Sequence, residues 1–242
     1  MTKIIIFFVS IFSFFQVHSA NIGLLVVATG KYTAFAEALI QSARRYFCTN
    51  HHVTYYVFTD KRVELAPDQV TFFHPKIGWP YDTMMRYHAY ALRRPALMAE
   101  DYLFACDADM LFVDTVGDEI LGELVATLHP GFVHQRGSYE TNPLSTAYIA
   151  DNESDHYYCG GFYGGTAKKV LEMLDVNIAH IEEDLRRGII AVWHDESHWN
   201  RYCVDHPPTL VLSPSYCYPE SWNLPYAKKL LALDKNHTEF QK

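Results

Sequence analysis

Clusters of positive charge are missing from this chain. No run of Lys or Arg exceeds two residues, and the formal net charge of the 242 residues is −8. A protein that binds nucleic acid needs grouped cations against the phosphate backbone. The composition therefore excludes a nucleic-acid partner. Internal repeats and low-complexity segments are missing as well, so the sequence does not indicate a repeat protein.

Cysteine is scarce and scattered. The five cysteines are odd in number, and no two of them stand at C-x-x-C spacing. Neither a zinc knot nor a disulfide framework is therefore indicated. We expect buried thiols at Cys48, Cys106, Cys159, Cys203 and Cys217.

The first twenty residues differ from the rest of the chain. Lys3 precedes a largely apolar run over 4–15, and the small residues Ser19 and Ala20 end the segment. This order is typical of a signal peptide or a short signal anchor, and the run is shorter than the ~20 residues of a membrane-spanning helix. We predict membrane association through residues 1–20 or, alternatively, export or residence in the lumen of the secretory pathway. The competing interpretation is a buried N-terminal strand or helix.

Strand-like and helix-like patterns alternate through the first half of the chain. Apolar runs predict strands, and apolar residues at helical spacing predict helices. The predicted strands cover 21–28, 52–59, 70–73, 102–106 and 210–212, and the predicted helices cover 32–46, 82–98 with an interruption at Pro95, 166–174, 177–187 and 196–205. This alternation favours an α/β fold with a mostly parallel central sheet, in a single domain over 21–242.

An acidic pair directly follows the predicted strand 102–106. Asp107 and Asp109 are separated by one residue. In an open α/β sheet, ligands gather beyond the carboxyl ends of the strands. Two carboxylates at that point suit Mn²⁺, with Mg²⁺ as the alternative, and such an ion would neutralise a diphosphate. The competing interpretation is a polar turn that caps the following segment.

A second cluster gathers two acids, two imidazoles and an indole within residues 193–198. Burying such groups is unfavourable unless they serve a function. His194 and His198 have the i, i+4 spacing of zinc hydrolases, but Asp195 occupies the place where the H-E-x-x-H motif has its general-base Glu. Because no third ligand is evident nearby, a zinc hydrolase is the weaker hypothesis. Another interpretation is a polar helix start capped by Asp195 or Ser197.

A glycine-rich segment spans residues 157–165. Its glycines surround aromatic residues, and the spacing matches neither a Walker loop nor G-x-G-x-x-G. Glycines of this kind let the backbone approach a ligand closely, while aromatic rings form the walls of a pocket. The competing interpretation is a tight turn.

Eight segments of the chain resemble glycosyltransferase family 6, the family of the histo-blood-group A and B transferases and the α1,3-galactosyltransferase. They occur in the family's order between residues 24 and 237: YYVFTD (55–60), DADM (107–110), TLHPGF (127–132), AYI (147–149), YYCGGFYGG (157–165), AVWHDESHWN (191–200), VLSP (211–214) and KNH (235–237). The resemblance implies a GT-A type nucleotide-diphospho-sugar transferase fold.

The resemblance also implies a donor site for a UDP-sugar. Asp107 and Asp109 would hold the metal against the diphosphate, and Lys235 would contact phosphate when the tail folds over. Arg86 would lie close to the donor sugar, and Asp195 would bind its hydroxyl groups. The uracil site would be lined by Val27, Ala28 and Thr29 with Tyr32 nearby, and the donor sugar would lie against Cys159, Gly160 and Gly161.

The acceptor implied by the resemblance is an oligosaccharide or glycolipid with a terminal galactose. His129 and Trp193 would contact it. Glu196, also on the acceptor side, would be the catalytic carboxylate that faces the anomeric carbon and stabilises or attacks the oxocarbenium-like centre. The expected reaction is Mn²⁺-dependent transfer in α1,3 linkage with retention of configuration.

The resemblance implies that Cys159 and Gly161 lie against the C2 substituent of the donor sugar, so donor choice is expected to depend on them. Glycine at 161 leaves room for an acetamido group, which favours UDP-GalNAc, with UDP-Gal as the alternative. A different class of protein stays open: a UDP- or sugar-binding protein on the same fold without turnover. The complete set of acidic residues, Asp107, Asp109, Asp195 and Glu196, argues against that alternative.

Overall fold

The computed structural model describes residues 19–61, 66–133 and 135–236. Most of the predicted signal segment, residues 1–18, lies outside these ranges, and so does the end of the KNH motif. Within the described ranges, no helix combines the length and the apolar character that a membrane crossing requires.

The described part of the chain forms strands and helices in alternating order. The strands are β1 Asn21–Val27, β2 His52–Thr59, β3 Gln69–Phe73, β4 Tyr102–Cys106, β5 Met110–Phe112, β6 Leu124–Thr127, β7 Phe162–Thr166, β8 Leu210–Leu212, β9 Tyr218–Pro219 and β10 Leu230–Ala232. The α-helices are α1 Thr33–Tyr46, α2 Tyr81–Met84, α3 Arg86–Ala91, α4 Arg94–Leu97, α5 Ala167–Arg186 and α6 Asp195–Asp205.

A seven-stranded sheet organises the molecule, in the order β3-β2-β1-β4-β7-β6-β8. Every neighbouring pair is parallel except those of β7, which runs antiparallel to β4 and β6. The predicted α/β class with a mostly parallel sheet is therefore confirmed. Because Val27 pairs with Phe58 and Leu25 with Ala105, β1, β2 and β4 end at the same edge. Residues that follow these strands gather there.

A second, three-stranded sheet brings the end of the described chain to the same edge. β10 pairs antiparallel with β5 and parallel with β9. Beyond β10, the Leu233 N–H donates to the Asp109 carbonyl at 2.9 Å. The following residue pair, Asp234 and Lys235, is therefore held beside the acidic pair.

Both faces of the large sheet are covered by helices. On one face, α1 buries an apolar stripe that includes Leu39 and Ala43 against Phe104. On the other face, side chains of α3, α5 and α6 pack together, and Trp199 of α6 stacks on Tyr163 of β7 with ring centres 4.6 Å apart. The apolar runs of β1 and β4 are buried because they lie between these two layers.

The helix α5 corrects the prediction of two helices over 166–174 and 177–187. It is continuous over Ala167–Arg186, and its buried stripe runs without a break from Leu174 through Asn177 and Ile181 to Asp184. Two polar residues occupy core-facing positions of this stripe. These polar residues interrupt the apolar periodicity of the sequence, although the helix itself is continuous.

The predicted helix over 82–98 is instead three short helices. Pro95 does not interrupt the segment, because it lies in the first turn of α4, where its missing N–H has no intrahelical partner to lose. The breaks fall at Met85 and before Arg94. The turn between α2 and α3 places Arg86 close to the end of β4.

Candidate active site

Asp107 and Asp109 lie just beyond the carboxyl end of β4. Each carboxylate is paired with a cation from another element: Arg86 Nη1 of α3 donates to Asp107 Oδ1 at 2.7 Å, and Lys235 Nζ donates to Asp109. Burial, together with the charge of Asp107, raises the pKa of Asp109. Two carboxylates in this setting require nearby positive charge, which Arg86 and Lys235 supply.

A cavity of about 100 Å³ lies beside the acidic pair. Seven of the predicted donor-site residues line it, namely Val27, Thr29, Tyr32, Arg86, Asp107, Asp109 and Lys235. The Lys235 ammonium lies 4.8 Å from the centre of the Tyr32 ring. Ala28 lies at the same strand end, but its side chain is buried in the core. The ends of β1 and β4 and the chain after β10 thus form one cavity.

Arg86 connects the acidic pair to the start of α6. Its Nη1 donates to Asp107 at 2.7 Å and to the Gly160 carbonyl at 3.2 Å, and its Nε lies 3.0 Å from Asp195 Oδ2. Burial opposes the charged form of Arg86, but the two carboxylates outweigh it, so the pKa of Arg86 is raised above its usual value. The guanidinium stays charged and holds both carboxylates in place.

The catalytic candidate Glu196 lies in the first turn of α6. Its Oε1 accepts from the Tyr157 hydroxyl at 2.6 Å, and its Oε2 accepts from the Gly160 N–H at 2.7 Å. Burial raises the pKa of Glu196 to about 7 although these hydrogen bonds lower it. Burial likewise raises the pKa of Asp195 to about 6, with Arg86 opposing the rise. The protein therefore presents two buried carboxyl groups that titrate near neutrality.

Gly160 and Gly161 form a backbone bridge between Asp107 and Glu196. The Asp107 N–H donates to the Gly161 carbonyl at 2.9 Å. A Cβ added at Gly160 would lie 3.3 Å from Glu196 Cβ, and one added at Gly161 would lie 3.4 Å from Cys217 Sγ and 3.6 Å from Asp107 Oδ2. The backbone thus passes between the acidic pair and Glu196 with little room for side chains.

Cys159 lies beneath this bridge and contacts a second thiol. Its side chain is buried and hydrogen-bonds the thiol of Cys217. This hydrogen bond, together with burial, raises the pKa of Cys217, so Cys217 is a thiol rather than a thiolate near neutrality. The prediction of buried thiols is confirmed, because all five cysteines are free and buried.

The predicted acceptor residues His129 and Trp193 both connect to Glu196. The His129 ring packs on Tyr157 with centres 5.5 Å apart, and burial lowers the pKa of His129 to about 4. The Trp193 carbonyl accepts from the Glu196 N–H at 3.0 Å, while its half-exposed indole donates to Ser138 Oγ at 2.9 Å. A neutral imidazole and an exposed indole are surfaces that suit a sugar.

The two histidines of the 193–198 cluster do not share a ligand site. His194 packs edge-to-face on Trp79 at 5.0 Å, whereas His198 is fully buried with its Nε2 3.8 Å from Asp184 Oδ2. Among the residues that the structure describes, no three His, Cys, Asp or Glu side chains converge as metal ligands. The i, i+4 spacing therefore gives no support to the zinc hydrolase hypothesis.

The acidic pair fits a divalent cation together with a phosphate ligand. The ligand atoms are carboxylate oxygens, which Mn²⁺ and Mg²⁺ bind readily. The Lys235 ammonium group pairs with Asp109, so this carboxylate already has a cation beside it where a metal ion would bind. With two protein ligands, such an ion would take its other ligands from water and diphosphate oxygens. Asp107 and Asp109 are the residues that would hold such an ion.

Comparison with known proteins agrees with this arrangement. The family model described as Glycosyltransferase family 6 matches residues 10–242. The chain belongs to glycosyltransferase family 6. The Histo-blood group ABO system transferase 1 of Rattus norvegicus is 36% identical over 240 residues, which cover 92% of this chain and 69% of that protein. The Globoside alpha-1,3-N-acetylgalactosaminyltransferase 1 is 37% identical in Canis lupus familiaris, covering 91% of this chain and 68% of that protein, and 36% identical in Homo sapiens, covering 92% and 69%.

Membership of family 6 confirms the predicted resemblance and the expected GT-A type fold. It also identifies the chain as a glycosyltransferase. The structure adds contacts that the sequence did not indicate. Asp82 and Thr83 line the cavity from α2, Tyr157 hydrogen-bonds Glu196, Ser138 hydrogen-bonds Trp193, and Cys217 lies against Gly161.

The sequence signals for these residues differ. Asp82 and Thr83 precede the turn that positions Arg86, and no motif contains them. Tyr157 begins the glycine-rich family segment 157–165, but nothing in that segment indicates a partner 39 residues away. The contact between Tyr157 and Glu196 is therefore visible only in the structure.

Proposed function

We propose that this family 6 enzyme transfers GalNAc, or alternatively Gal, from a UDP-sugar in α1,3 linkage to a terminal galactoside, with retention of configuration and with Mn²⁺ dependence. The observation that carries the proposal is the link made by Arg86. This residue joins Asp107 beside the cavity to Asp195, the neighbour of Glu196. A metal-diphosphate site and a buried carboxylate are thereby adjacent, as glycosyl transfer from a nucleotide sugar requires.

The residues that line the cavity suit a nucleotide diphosphate in their chemistry. Val27 and Thr29 line its wall at the end of β1, with the Tyr32 ring beside them for the uracil. Lys235 has a long side chain whose ammonium group can contact the phosphates. When bound, Mn²⁺ on Asp107 and Asp109 would supply the positive charge that stabilises the departing UDP.

Glu196 suits the role of the carboxylate that faces the anomeric carbon. Its two hydrogen bonds fix the carboxylate plane, and its place in the first turn of α6 favours the negative charge. In retaining transfer a carboxylate stabilises or attacks the positive charge that develops at C1. Asp195, held by Arg86, would accept hydrogen bonds from hydroxyl groups of the donor sugar.

The acceptor would bind between His129 and Trp193. The names of the similar proteins include an ABO system transferase and a globoside α1,3-N-acetylgalactosaminyltransferase, which supports a glycan or glycolipid acceptor with a terminal galactose. His129 packs on Tyr157, and the Trp193 carbonyl group accepts from the Glu196 N–H, so an acceptor hydroxyl at this surface would lie near Glu196. Aromatic and imidazole rings suit the apolar face of galactose.

The amino-acid pattern of residues 1–20 supports membrane association, or alternatively export or residence in the secretory lumen. Lys3, the apolar run over 4–15 and the small residues Ser19 and Ala20 are the features of a signal peptide or short anchor. Fractionation of cells that express the full chain, beside a chain that starts at residue 21, tests this proposal. Equal distribution of both forms between membrane and soluble fractions would contradict the anchor.

The decisive experiment measures UDP release from UDP-GalNAc and UDP-Gal, each with Mn²⁺ or with EDTA and each with and without a β-galactoside. We expect release that is stimulated by the galactoside, is faster with UDP-GalNAc and falls at least ~100-fold in EDTA, because a buried diphosphate lacks its counter-charge without the metal. Activity that persists in EDTA would contradict metal dependence.

Two variants make this experiment specific. Asp109→Asn keeps the size of the side chain but removes a carboxylate from the acidic pair, and should reduce turnover as EDTA does. Asp114→Asn removes an exposed acid that lies outside the cavity lining, and should leave turnover unchanged. Binding of UDP without release from either donor, over a panel of galactosides, would instead favour a sugar-nucleotide-binding protein.

A further inference from the structure

The hydroxyl group of Tyr157 forms a hydrogen bond with Glu196. It donates to Oε1 at 2.6 Å, a short hydrogen bond to a carboxylate, and Tyr157 is 1% exposed. Burial first and the charge of Glu196 second raise the pKa of Tyr157 far above its usual value, so the hydroxyl stays protonated as a donor. Together with the Gly160 N–H on Oε2, it leaves each carboxylate oxygen with one fixed donor.

The ring of Tyr157 is held by a cluster of aromatic residues on the acceptor side. Its ring centre lies 5.1 Å from Phe132, 5.2 Å from Tyr139 and 5.5 Å from His129. These edge-to-face and tilted contacts restrict the ring to one orientation. The hydroxyl therefore has a fixed direction toward Glu196, set by the same wall that contains the proposed acceptor residue His129.

We propose that Tyr157 is a positioning residue of the transfer reaction: it holds the Glu196 carboxylate in the orientation and the ionised state that the anomeric carbon requires, and it ties that orientation to the acceptor wall. This inference rests on the proposed function of Glu196. It assigns to Tyr157 an action through Glu196 and no contact with the reacting atoms.

The charge state of Glu196 depends on several neighbours besides Tyr157. Burial and the charges of nearby carboxylates raise the pKa of Glu196, whereas the donors Tyr157 and Gly160 lower it. Removing one donor therefore raises this pKa further, and the fraction of ionised Glu196 at neutral pH falls. The titratable or charged groups that surround Glu196 are Asp195 on α6, Asp107 after β4, Arg86 on α3, Tyr157 before β7 and Cys217 before β9.

The test is Tyr157→Phe in the full chain, with UDP release measured from UDP-GalNAc and UDP-Gal in the presence of Mn²⁺ and a β-galactoside between pH 5 and 9. The substitution removes only the hydroxyl group. We expect kcat to fall about 10- to 100-fold with little change in the donor KM, the size of effect that a hydrogen bond to a charged group provides. The acidic limb of the kcat profile should move up by about one pH unit.

A double variant distinguishes action through Glu196 from a general loss of structure. Glu196→Gln removes the ionisable group but keeps an oxygen that can accept from Tyr157. In this background, Tyr157→Phe should lower the residual UDP release by less than about threefold and leave its pH profile unchanged. A further fall as large as in the wild-type background would show that Tyr157 acts independently of Glu196, and would overturn the proposal.

Tyr139→Phe is the matched control. It removes the hydroxyl of the neighbouring buried tyrosine, which donates to the His156 carbonyl at 2.5 Å rather than to Glu196. We expect Tyr139→Phe to lose about as much thermal stability as Tyr157→Phe. The acidic limb of its kcat profile should stay at the wild-type pH. If the wild type is active and the acidic limb of the kcat profile lies at the same pH in Tyr157→Phe, this inference is overturned but the proposed function is not. A wild type that releases no UDP from either donor would overturn the proposed function, and this inference with it.

Discussion

Gly161 and Gly164 stand three residues apart in one glycine-rich segment, yet their surroundings differ. A Cβ at Gly161 would meet Cys217 Sγ at 3.4 Å, a contact that a small shift of the thiol relieves. A Cβ at Gly164 would lie 2.3 Å from the Leu103 carbonyl oxygen, which belongs to the neighbouring strand. Gly161 therefore leaves space at the candidate site, whereas Gly164 allows β7 to pair closely with β4.

Gly161→Ala should change donor choice without preventing folding. The added methyl group enters the space between Asp107 and Cys217, where the proposed donor sugar presents its C2 substituent. We expect the ratio of kcat/KM for UDP-GalNAc over UDP-Gal to fall about 10-fold, since one methyl group in a pocket discriminates by this order. Steady-state kinetics with both donors measure it, and an unchanged ratio would contradict the role of Gly161.

Two companion variants limit the interpretation of this result. Gly161→Ala combined with Cys217→Ala should recover part of the original ratio, because the smaller residue at 217 gives space back. Gly164→Ala should instead yield little folded protein, because β4 and β7 cannot separate without losing their hydrogen bonds. Equal folding yields of the Gly161 and Gly164 variants would be inconsistent with the geometry of this segment.

The helix α6 begins from a backbone conformation that disfavours side chains. His194 has φ 52° and ψ −120°, a region in which glycine is comfortable and other residues are strained. The conformation turns the chain so that Asp195 and Glu196 fall in the first helical turn, where the helix dipole favours their charge. The strained backbone at His194 thus directs the side chains of Asp195 and Glu196 into the candidate site.

His194→Gly should be more stable than His194→Ala by about 1 kcal/mol or more. Both variants lose the ring contact with Trp79, but only alanine keeps the Cβ that strains this φ. The order reverses at an ordinary helical position, where glycine costs about 1 kcal/mol relative to alanine. Chemical denaturation of the two variants, compared with Ala179→Gly against the wild type on the exposed face in the middle of α5, measures both differences. The same order at both positions would be inconsistent with strain at His194.

Elements with a continuous apolar run were predictable from the sequence, and those with mixed composition were not. β1, β2 and β4 are buried between two helical layers, so nearly every residue in them is apolar. β7 contains two glycines because its neighbours approach closely, and its composition is therefore typical of a ligand-binding segment rather than of a strand. The sequence predicts two helices where α5 is one, because the polar residues Asn177 and Asp184 face the core.

The same distinction applies to the site. Asp107 and Asp109 could be located because they follow a recognisable strand, and most of the other site residues were found through the family resemblance. Tyr157 lies in the family segment 157–165, but neither route indicates its contact with Glu196. Its significance lies in a hydrogen bond across 39 residues, and such a contact depends on how α6 packs against the chain before β7.

At the scale of the whole molecule, the proposed donor site depends on segments that are far apart in sequence. Lys235 lies 126 positions after Asp109, and it reaches the acidic pair only because β10 pairs with β5 and β9. Arg86 and Asp195 are similarly brought together from α3 and α6. Formation of the site therefore requires the large and the small sheet to be assembled together.

Lys235→Ala should weaken the binding of UDP in the presence of Mn²⁺ by about 10-fold or more, the effect of removing a charge-assisted contact to phosphate. In the structure the ammonium is paired with Asp109 and lies over the Tyr32 ring, so it already lines the proposed diphosphate cavity. Titration calorimetry of UDP and Mn²⁺ measures the affinity, and the difference between variants should shrink as the salt concentration rises.

Lys228→Ala provides the matched control, because it removes a lysine from the same C-terminal part of the chain. Its ammonium lies over the Tyr218 ring and outside the lining of the cavity. A merely electrostatic effect of net charge would weaken UDP binding equally in both variants, since each removes one positive charge. A loss confined to Lys235→Ala would instead require local contact with the phosphates, whereas equal affinities in Lys235→Ala and the wild type would exclude Lys235 from the donor site.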